Sequence, residues 1–425
     1  MTTLFSLMQQ AKQGKAVGIY SVCSAHPLVL QAAILRAKRD KSLLLIEATA
    51  NQVNQFGGYT GQTPADFIAN VRQLARQLGL PLSQLVFGGD HLGPVCWRNE
   101  PAAAAMQKSE DLIAAYVQAG FSKIHLDTSM PCADDPAVLS EQTIANRAAR
   151  LCAVAERYAR AEQPLSYVIG TEVPAPGGVQ QLEQQLHATA VSSVELTLQT
   201  HQHAFAAEGL AADVWQKVLA VVVQPGVEFD NSQVHKFDVS AASGLSAFIR
   251  QHAQVVFEAH STDYQTTQAL QQLVQGQFAI LKVGPELTFA LREALFALSH
   301  IEAELLPVAA RANLIATCRE VMLRKPAYWQ SFYPQADWQL LYSYSDRVRY
   351  YWPEPQLQQA VTQLLANLPN ALPLPLLLQY LPEAYQAVQQ GLIRNDAQSV
   401  LLFHIDQVLA RYAKACGLTP IEGAH

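Results

Sequence analysis

The sequence predicts a (β/α)8 TIM barrel followed by a helical C-terminal extension. Three observations lead there. Eight short apolar runs recur between residues 17 and 284, separated by longer stretches that read as helices, the alternation of a parallel barrel. Nearly every run ends in a polar or charged residue, and this fold keeps its functional groups at the C-terminal ends of its strands. Past about residue 306 the alternation stops, so a barrel spans residues 1–305 and a helical subdomain packed on it spans 306–425.

In chain order, residues 3–13 predict a short helix that plugs the N-terminal mouth of the barrel. The first strand is VGIYSVCSAH (17–26), after which Pro27 opens a helix, a position where proline is well tolerated. SLLLIEAT (42–49) is the second strand. The loop after it, NQVNQFGGYTGQTPADF, is rich in amides and glycine and ends in a Thr63-Pro64-Ala65-Asp66 helix start. Such loops carry specificity in barrels, so Asn51 and Gln55 are expected to face a polyol substrate. LVFGGDH (85–91) precedes an amphipathic helix from about Ala102 to Gln118. KIHLD (123–127) leads into TSMPCADDP, expected to cap the next helix. SYVIGTE (166–172), VLAVVVQP (218–225), VVFEAH (255–260) and AILKVGP (278–284) complete the eight strands, the last followed by the helix ELTFALREALFALSHIEAEL. The remaining helices are expected at 308–324, 355–367, 374–390 and 395–414. The segment YSYSDRVRYYWPEP (342–355) is dense in aromatics and arginine, which suits either an interface or packing of the subdomain on the barrel.

Composition excludes several classes. The net charge is −6 with no basic run, which argues against nucleic acid as a partner. There is no charged-then-apolar leader and no apolar stretch of membrane-spanning length, so no membrane association and a cytoplasmic location are expected. Half the residues are hydrophobic and only 15% are charged, enough for a large core and compatible with an obligate interface. The six cysteines lack metal-finger spacing and read as reduced and structural, with Cys23 and Cys132 near strand ends. No GxxxxGK[ST] or GxGxxG element is present, which argues against a P-loop kinase or a dinucleotide enzyme.

The strand ends supply the chemistry. Asp90 beside His91 pairs a base with a metal ligand, His260 offers a second imidazole, and Glu228 a carboxylate; together they suit a divalent metal such as zinc with an open position. Asp90 and Glu172 are the candidate bases. Glu47, His125, Asp127, Glu258 and Lys282 join Asn51 and Gln55 as candidate substrate-binding residues. Lys282 has three readings: a Schiff-base amine, an anion-binding cation, or a buried ion pair. Gly284 and the helix start at Pro285 permit phosphate binding on backbone N–H groups.

The long motifs SVCSAHPLV, IEATANQVNQFGGYTGQTPADF, GGDHLGP, AGFSKIHLD, LSYVIGTEVPAPGG, VVQPGVEFD, EAHSTDYQT, LKVGPELTFALREA and SDRVRYYWP resemble the accessory (Z-type, GatZ/KbaZ) subunit of class II D-tagatose-1,6-bisphosphate aldolase over essentially the whole chain. The resemblance implies a non-catalytic, chaperone-like subunit required for full activity and stability of a separate zinc-dependent Y subunit. That subunit cleaves tagatose 1,6-bisphosphate to glycerone phosphate and glyceraldehyde 3-phosphate, in galactitol or N-acetylgalactosamine breakdown. Ketose and uronate 4-epimerases, which use a metal, are similar to this group, so a metal-dependent sugar or sugar-phosphate epimerase or aldolase is the alternative. Class II aldolases hold zinc on three histidines at strands three, six and seven. Asp90-His91 is similar to the first element and His260 loosely to the third, but strand six carries Gln224 where a histidine is wanted.

Overall fold

A computed structural model describes residues 3–170, 186–333 and 338–419. Eight parallel strands close into a barrel: β1 (Ile19–Val22), β2 (Leu44–Thr49), β3 (Leu85–Leu92), β4 (Lys123–Leu126), β5 (Ser166–Ile169), β6 (Val218–Val222), then β9 (Val256–Ala259) and β10 (Phe278–Val283), which returns to β1. The closing register pairs Ile19 with Ile280 and Ser21 with Lys282. Between β6 and β9 the chain forms a small antiparallel pair, β7 (Glu228–Phe229) and β8 (Val234–His235), outside the barrel. The sequence did not suggest this hairpin.

Helices α1 (Leu4–Lys12), α2 (Pro27–Asp40), α3 (Pro64–Leu78), α4 (Ala102–Ala119), α5 (Glu141–Tyr158), α6 (Val191–Ala207), α7 (Ala212–Trp215), α8 (Ser243–Arg250), α9 (Thr267–Gln275) and α10 (Pro285–Leu305) accompany the strands. Their starts follow local chemistry. Thr63 and Asp66 form a reciprocal capping box on α3, and Gly79 ends that helix in the left-handed region at φ 73°. The TSMPCADDP loop caps a different helix from the one expected: Asp134 accepts from the N–H of Ala102 at 2.6 Å, at the start of α4, while Ser140 caps α5. The plug is where the sequence put it. Leu4, Leu7, Met8 and Ala11 of α1 join Ile19, Leu45, Val168, Leu219, Val256 and Ile280 in an apolar cluster filling the lower barrel.

The rest is helical: α11 (Leu314–Arg324), α12 (Gln339–Tyr342), α13 (Pro355–Asn367), α14 (Leu374–Tyr380), α15 (Pro382–Gln389) and α16 (Ala397–Ala415). The helix expected over 374–390 is two helices, because Pro382 cannot donate to the preceding turn. These elements share one continuous core with the barrel helices. Arg36 of α2 grips Asp406 of α16 with two N–H groups at 2.5 and 2.7 Å, and Tyr412 donates to the Thr262 carbonyl at 2.7 Å. Residues 342–355 pack on the barrel's loops. Arg292 and Asp346 form a buried pair at 2.7 Å, the Tyr350 ring lies 5.0 Å from Tyr59, and Trp352 lies 6.0 Å from His26. Among the described residues no helix is long and apolar enough to cross a membrane, and all six cysteines are free thiols.

Candidate functional site

Side chains along a strand alternate between faces, and on four barrel strands the inward row changes character within one step. Leu45 gives way to Glu47, Val256 to Glu258 and then His260, and Ile280 to Lys282; on β4 the inward residues are Lys123 and His125. All the polar members of this set are buried. Gly88 lies beside Glu47 in the β2–β3 register, and a Cβ there would come within 2.6 Å of Glu47 Cγ. The glycine therefore makes room for the carboxylate.

Asp90 and His91 are adjacent and both serve the interior, which a regular strand forbids. The pairing of β3 with β4 shifts register between Gly89 and Leu92, and His91 takes a φ of 48°. A non-glycine residue in that region costs on the order of 1 kcal/mol or more, and such strain gathers at functional sites. Here it turns the His91 ring back so that Nδ1 lies 2.9 Å from Asp90 Oδ2.

Three carboxylates and two ammonium groups interlock beneath the mouth. Lys123 Nζ lies 2.7 Å from Glu47 Oε1 and 2.7 Å from Glu258 Oε2. Lys282 Nζ lies 2.5 Å from Glu47 Oε2, 2.6 Å from Asp90 Oδ1 and 3.7 Å from Glu258 Oε1. Burial works against the charge on Lys282, but Asp90, Glu47 and Glu258 together hold its pKa well above the usual lysine value. It is an ammonium ion and not a Schiff-base nucleophile. Burial likewise opposes the charge on Asp90, yet His91 and Lys282 beside it hold its pKa well below the normal carboxylate range. Burial pushes the Cys23 thiol up, which keeps it protonated and a poor nucleophile.

Three imidazoles meet above this layer. The ring of His91 lies 5.2 Å from His125 and 5.1 Å from His260, and the latter two are 5.5 Å apart. His125 Nε2 faces the Gly170 carbonyl at 3.0 Å and so carries the proton. Its Nδ1 receives the His91 backbone N–H at 3.2 Å and also faces Asp90 Oδ1 at 3.0 Å. A lone pair opposed to a carboxylate oxygen is an arrangement that a cation relieves. His260 is held neutral by burial, its pKa lowered to about 3, and its Nε2 donates to Glu258 Oε1 at 3.0 Å. Among the described residues, the buried His91 Nε2 has no hydrogen-bond partner. Asp90, His125, Glu258 and His260 each offer a ligand atom within 4.8 Å of the others. Imidazole and carboxylate donors in this number suit zinc or a similar divalent transition metal. The donor set fits such an ion.

Other expected residues lie elsewhere. Glu228 sits on the β7–β8 hairpin, where its oxygens accept from the Phe229 N–H at 2.9 Å and the Ser261 hydroxyl at 3.1 Å; it does not join the metal-competent group. Gln224 spends its side-chain oxygen on the N–H groups of Gly226 and Val227. Asn51 is exposed and accepts from the Cys96 thiol, while Gln55 donates to the Lys108 carbonyl, bracing its loop against α4. Asp127 orders the turn at Ser129, 2.7 Å from the hydroxyl. Glu172 lies outside the described residues. Lys123 was missed: it stands two residues before His125 on the same inward row, and the period of two was the signal that would have found it.

Residues 4–417 match the family described as D-tagatose-1,6-bisphosphate aldolase subunit GatZ/KbaZ-like. A solved structure of a probable tagatose 6 phosphate kinase from Sinorhizobium meliloti is 47% identical, with a TM-score of 0.87, covering 94% of this chain and 100% of that one. A fructose-bisphosphate aldolase from Campylobacter jejuni is far more distant, at 14% identity and a TM-score of 0.43, covering 84% of this chain and 89% of that one.

Proposed function

We propose that this chain, which belongs to the D-tagatose-1,6-bisphosphate aldolase subunit GatZ/KbaZ-like family, is the non-catalytic subunit of such an aldolase in the cytoplasm. It supports the activity and stability of a separate zinc-dependent subunit in D-tagatose 6-phosphate breakdown. The observation that carries this reading is at strand six. Aldol cleavage needs a Lewis acid to polarise the ketose carbonyl, and the histidine expected there for a class II aldolase is Gln224, whose amide oxygen is committed to a backbone turn. A subunit that binds the folded partner and not the unfolded one stabilises it by mass action. Co-expression tests this: the catalytic subunit from the same organism should gain half-life and specific activity in the presence of this chain. Identical values with and without it end the proposal.

A second reading is favoured by the three clustered imidazoles, one of them from strand four instead of strand six. In this reading the mouth takes a divalent metal and a ketose or ketose phosphate, and the chain is an epimerase or aldolase of a different design. A metal bound there would polarise the substrate carbonyl. The protein's own part is electrostatic. Lys282, kept as an ammonium by Glu47 and Asp90, donates hydrogen bonds to a developing oxyanion, and the buried carboxylates hold it in place. Metal content after gentle purification, with a screen on ketoses and ketose phosphates, separates the two. A stoichiometric metal lost in His260→Ala, together with turnover of any ketose, replaces the first reading with the second.

A further inference from the structure

We infer that Lys123 is a positioning residue: from beneath the mouth it clamps the inner oxygens of Glu47 and Glu258, so that their outer oxygens fix the proton of His260 and the ammonium of Lys282. The inference rests on the mouth being a functional site, as the second reading has it, but its central claim is about hydrogen positions and does not need a metal.

Lys123 is fully buried, as are both its partners. It lies on β4 one inward step below His125, and its two 2.7 Å contacts take Glu47 Oε1 and Glu258 Oε2. The second oxygen of each carboxylate points the other way, Glu47 Oε2 to Lys282 Nζ at 2.5 Å and Glu258 Oε1 to His260 Nε2 at 3.0 Å. Each carboxylate is thus held from below and presents one oxygen above. With Glu258 Oε1 accepting, His260 must carry its proton on Nε2, leaving the lone pair on Nδ1. A carboxylate that orients an imidazole in this way fixes its tautomer and raises its basicity as a ligand, and loss of such a partner typically costs 10–100-fold in metal affinity. Lys123 acts one link further back. Without it, Glu258 loses the contact that selects its rotamer, and three carboxylates are left sharing Lys282.

The test is ¹⁵N NMR of the imidazole rings in the full, metal-free chain, followed by titration with Co²⁺. In the unsubstituted protein His260 should be a single Nε2–H tautomer; an Nδ1–H ring or a mixture overturns the inference without any mutant. Lys123→Met removes the clamp. The double variant Lys123→Met/Glu47→Gln removes it while keeping the net charge, in case the single variant does not fold. In whichever folds, His260 should lose its single tautomer and Co²⁺ affinity should fall by at least about tenfold. A folded variant with an unchanged His260 tautomer sinks the role of Lys123. Absence of Co²⁺ binding in the unsubstituted protein sinks the metal reading instead, and the tautomer result still decides the clamp.

Discussion

The lower and upper halves of the barrel interior are built from the same strands and solve opposite problems. Below, Ile19, Leu45, Val168, Leu219, Val256 and Ile280 are closed off by the apolar face of α1. Burying one such side chain contributes about 1.5–3 kcal/mol, and the contacts are non-directional. Above, one inward step along, Glu47, Asp90, Lys123, Glu258 and Lys282 are equally removed from water, where a charge is tolerated only if it is paired and oriented. The lower half is fixed by volume and the upper half by charge balance. Among the described residues three carboxylates there face two ammonium groups, and although burial opposes a charge on His91, Asp90 and Asp127 raise the ring's pKa.

The comparison predicts that the upper half breaks hardest. Lys282→Met should cost about 3–5 kcal/mol in the metal-free protein, because it strands buried carboxylates. Millimolar Zn²⁺ or Co²⁺ should return part of that loss by binding the native state. Urea midpoints with and without the ion measure both effects, and a variant as stable as the parent would show that the upper layer is not governed by charge pairing. Leu45→Ala, one step below, should cost about 2–4 kcal/mol through the cavity it leaves, with no recovery on adding metal. If both variants respond to the ion alike, the two halves are not separate systems.

Much of this division was legible in the sequence. The eight runs and the plug were readable because apolar residues buried on both faces form short continuous runs, and because strand ends stand out when they carry charge. Lys123 was passed over because a lysine opening a strand looks like a solvated edge; its row is set by barrel closure, which the sequence does not display. His125 was read as a substrate contact. Its place among the imidazoles depends on the register shift and left-handed turn at His91, and neither has a residue signature there. Glu228 looked like a ligand because the hairpin that carries it away was not recognised. Asp230, which accepts from the N–H groups of Ser232 and Gln233 at 2.6 Å, is the turn residue that marks it.

Gly88 is the seam between volume and charge. Gly88→Ala places a methyl against Glu47 Cγ and should cost about 1–3 kcal/mol as overpacking. It should also displace Glu47 from one of its lysines, so Co²⁺ affinity should change as well as stability. A stability loss with metal binding untouched would put Glu47 outside the site.

The smallest effect concerns two acids near the mouth that lack a lysine. Burial raises the pKa of Glu228 to about 8, and burial with the neighbouring charge of Glu286 raises that of Asp263 to about 7. Both native values lie above those of an unfolded chain, so the folded state keeps protons that the unfolded state releases. Their stabilising contribution is complete below about pH 4 and is lost as pH rises through 7 and 8. Glu228→Gln keeps the neutral form at every pH and should therefore match the parent near pH 4 and gain on it progressively up to about pH 8.5. Urea midpoints of parent and variant at the two pH values decide it. Parallel curves would mean that Glu228 is ionised in the native state, so that the hydrogen bonds from Phe229 and Ser261 outweigh its burial.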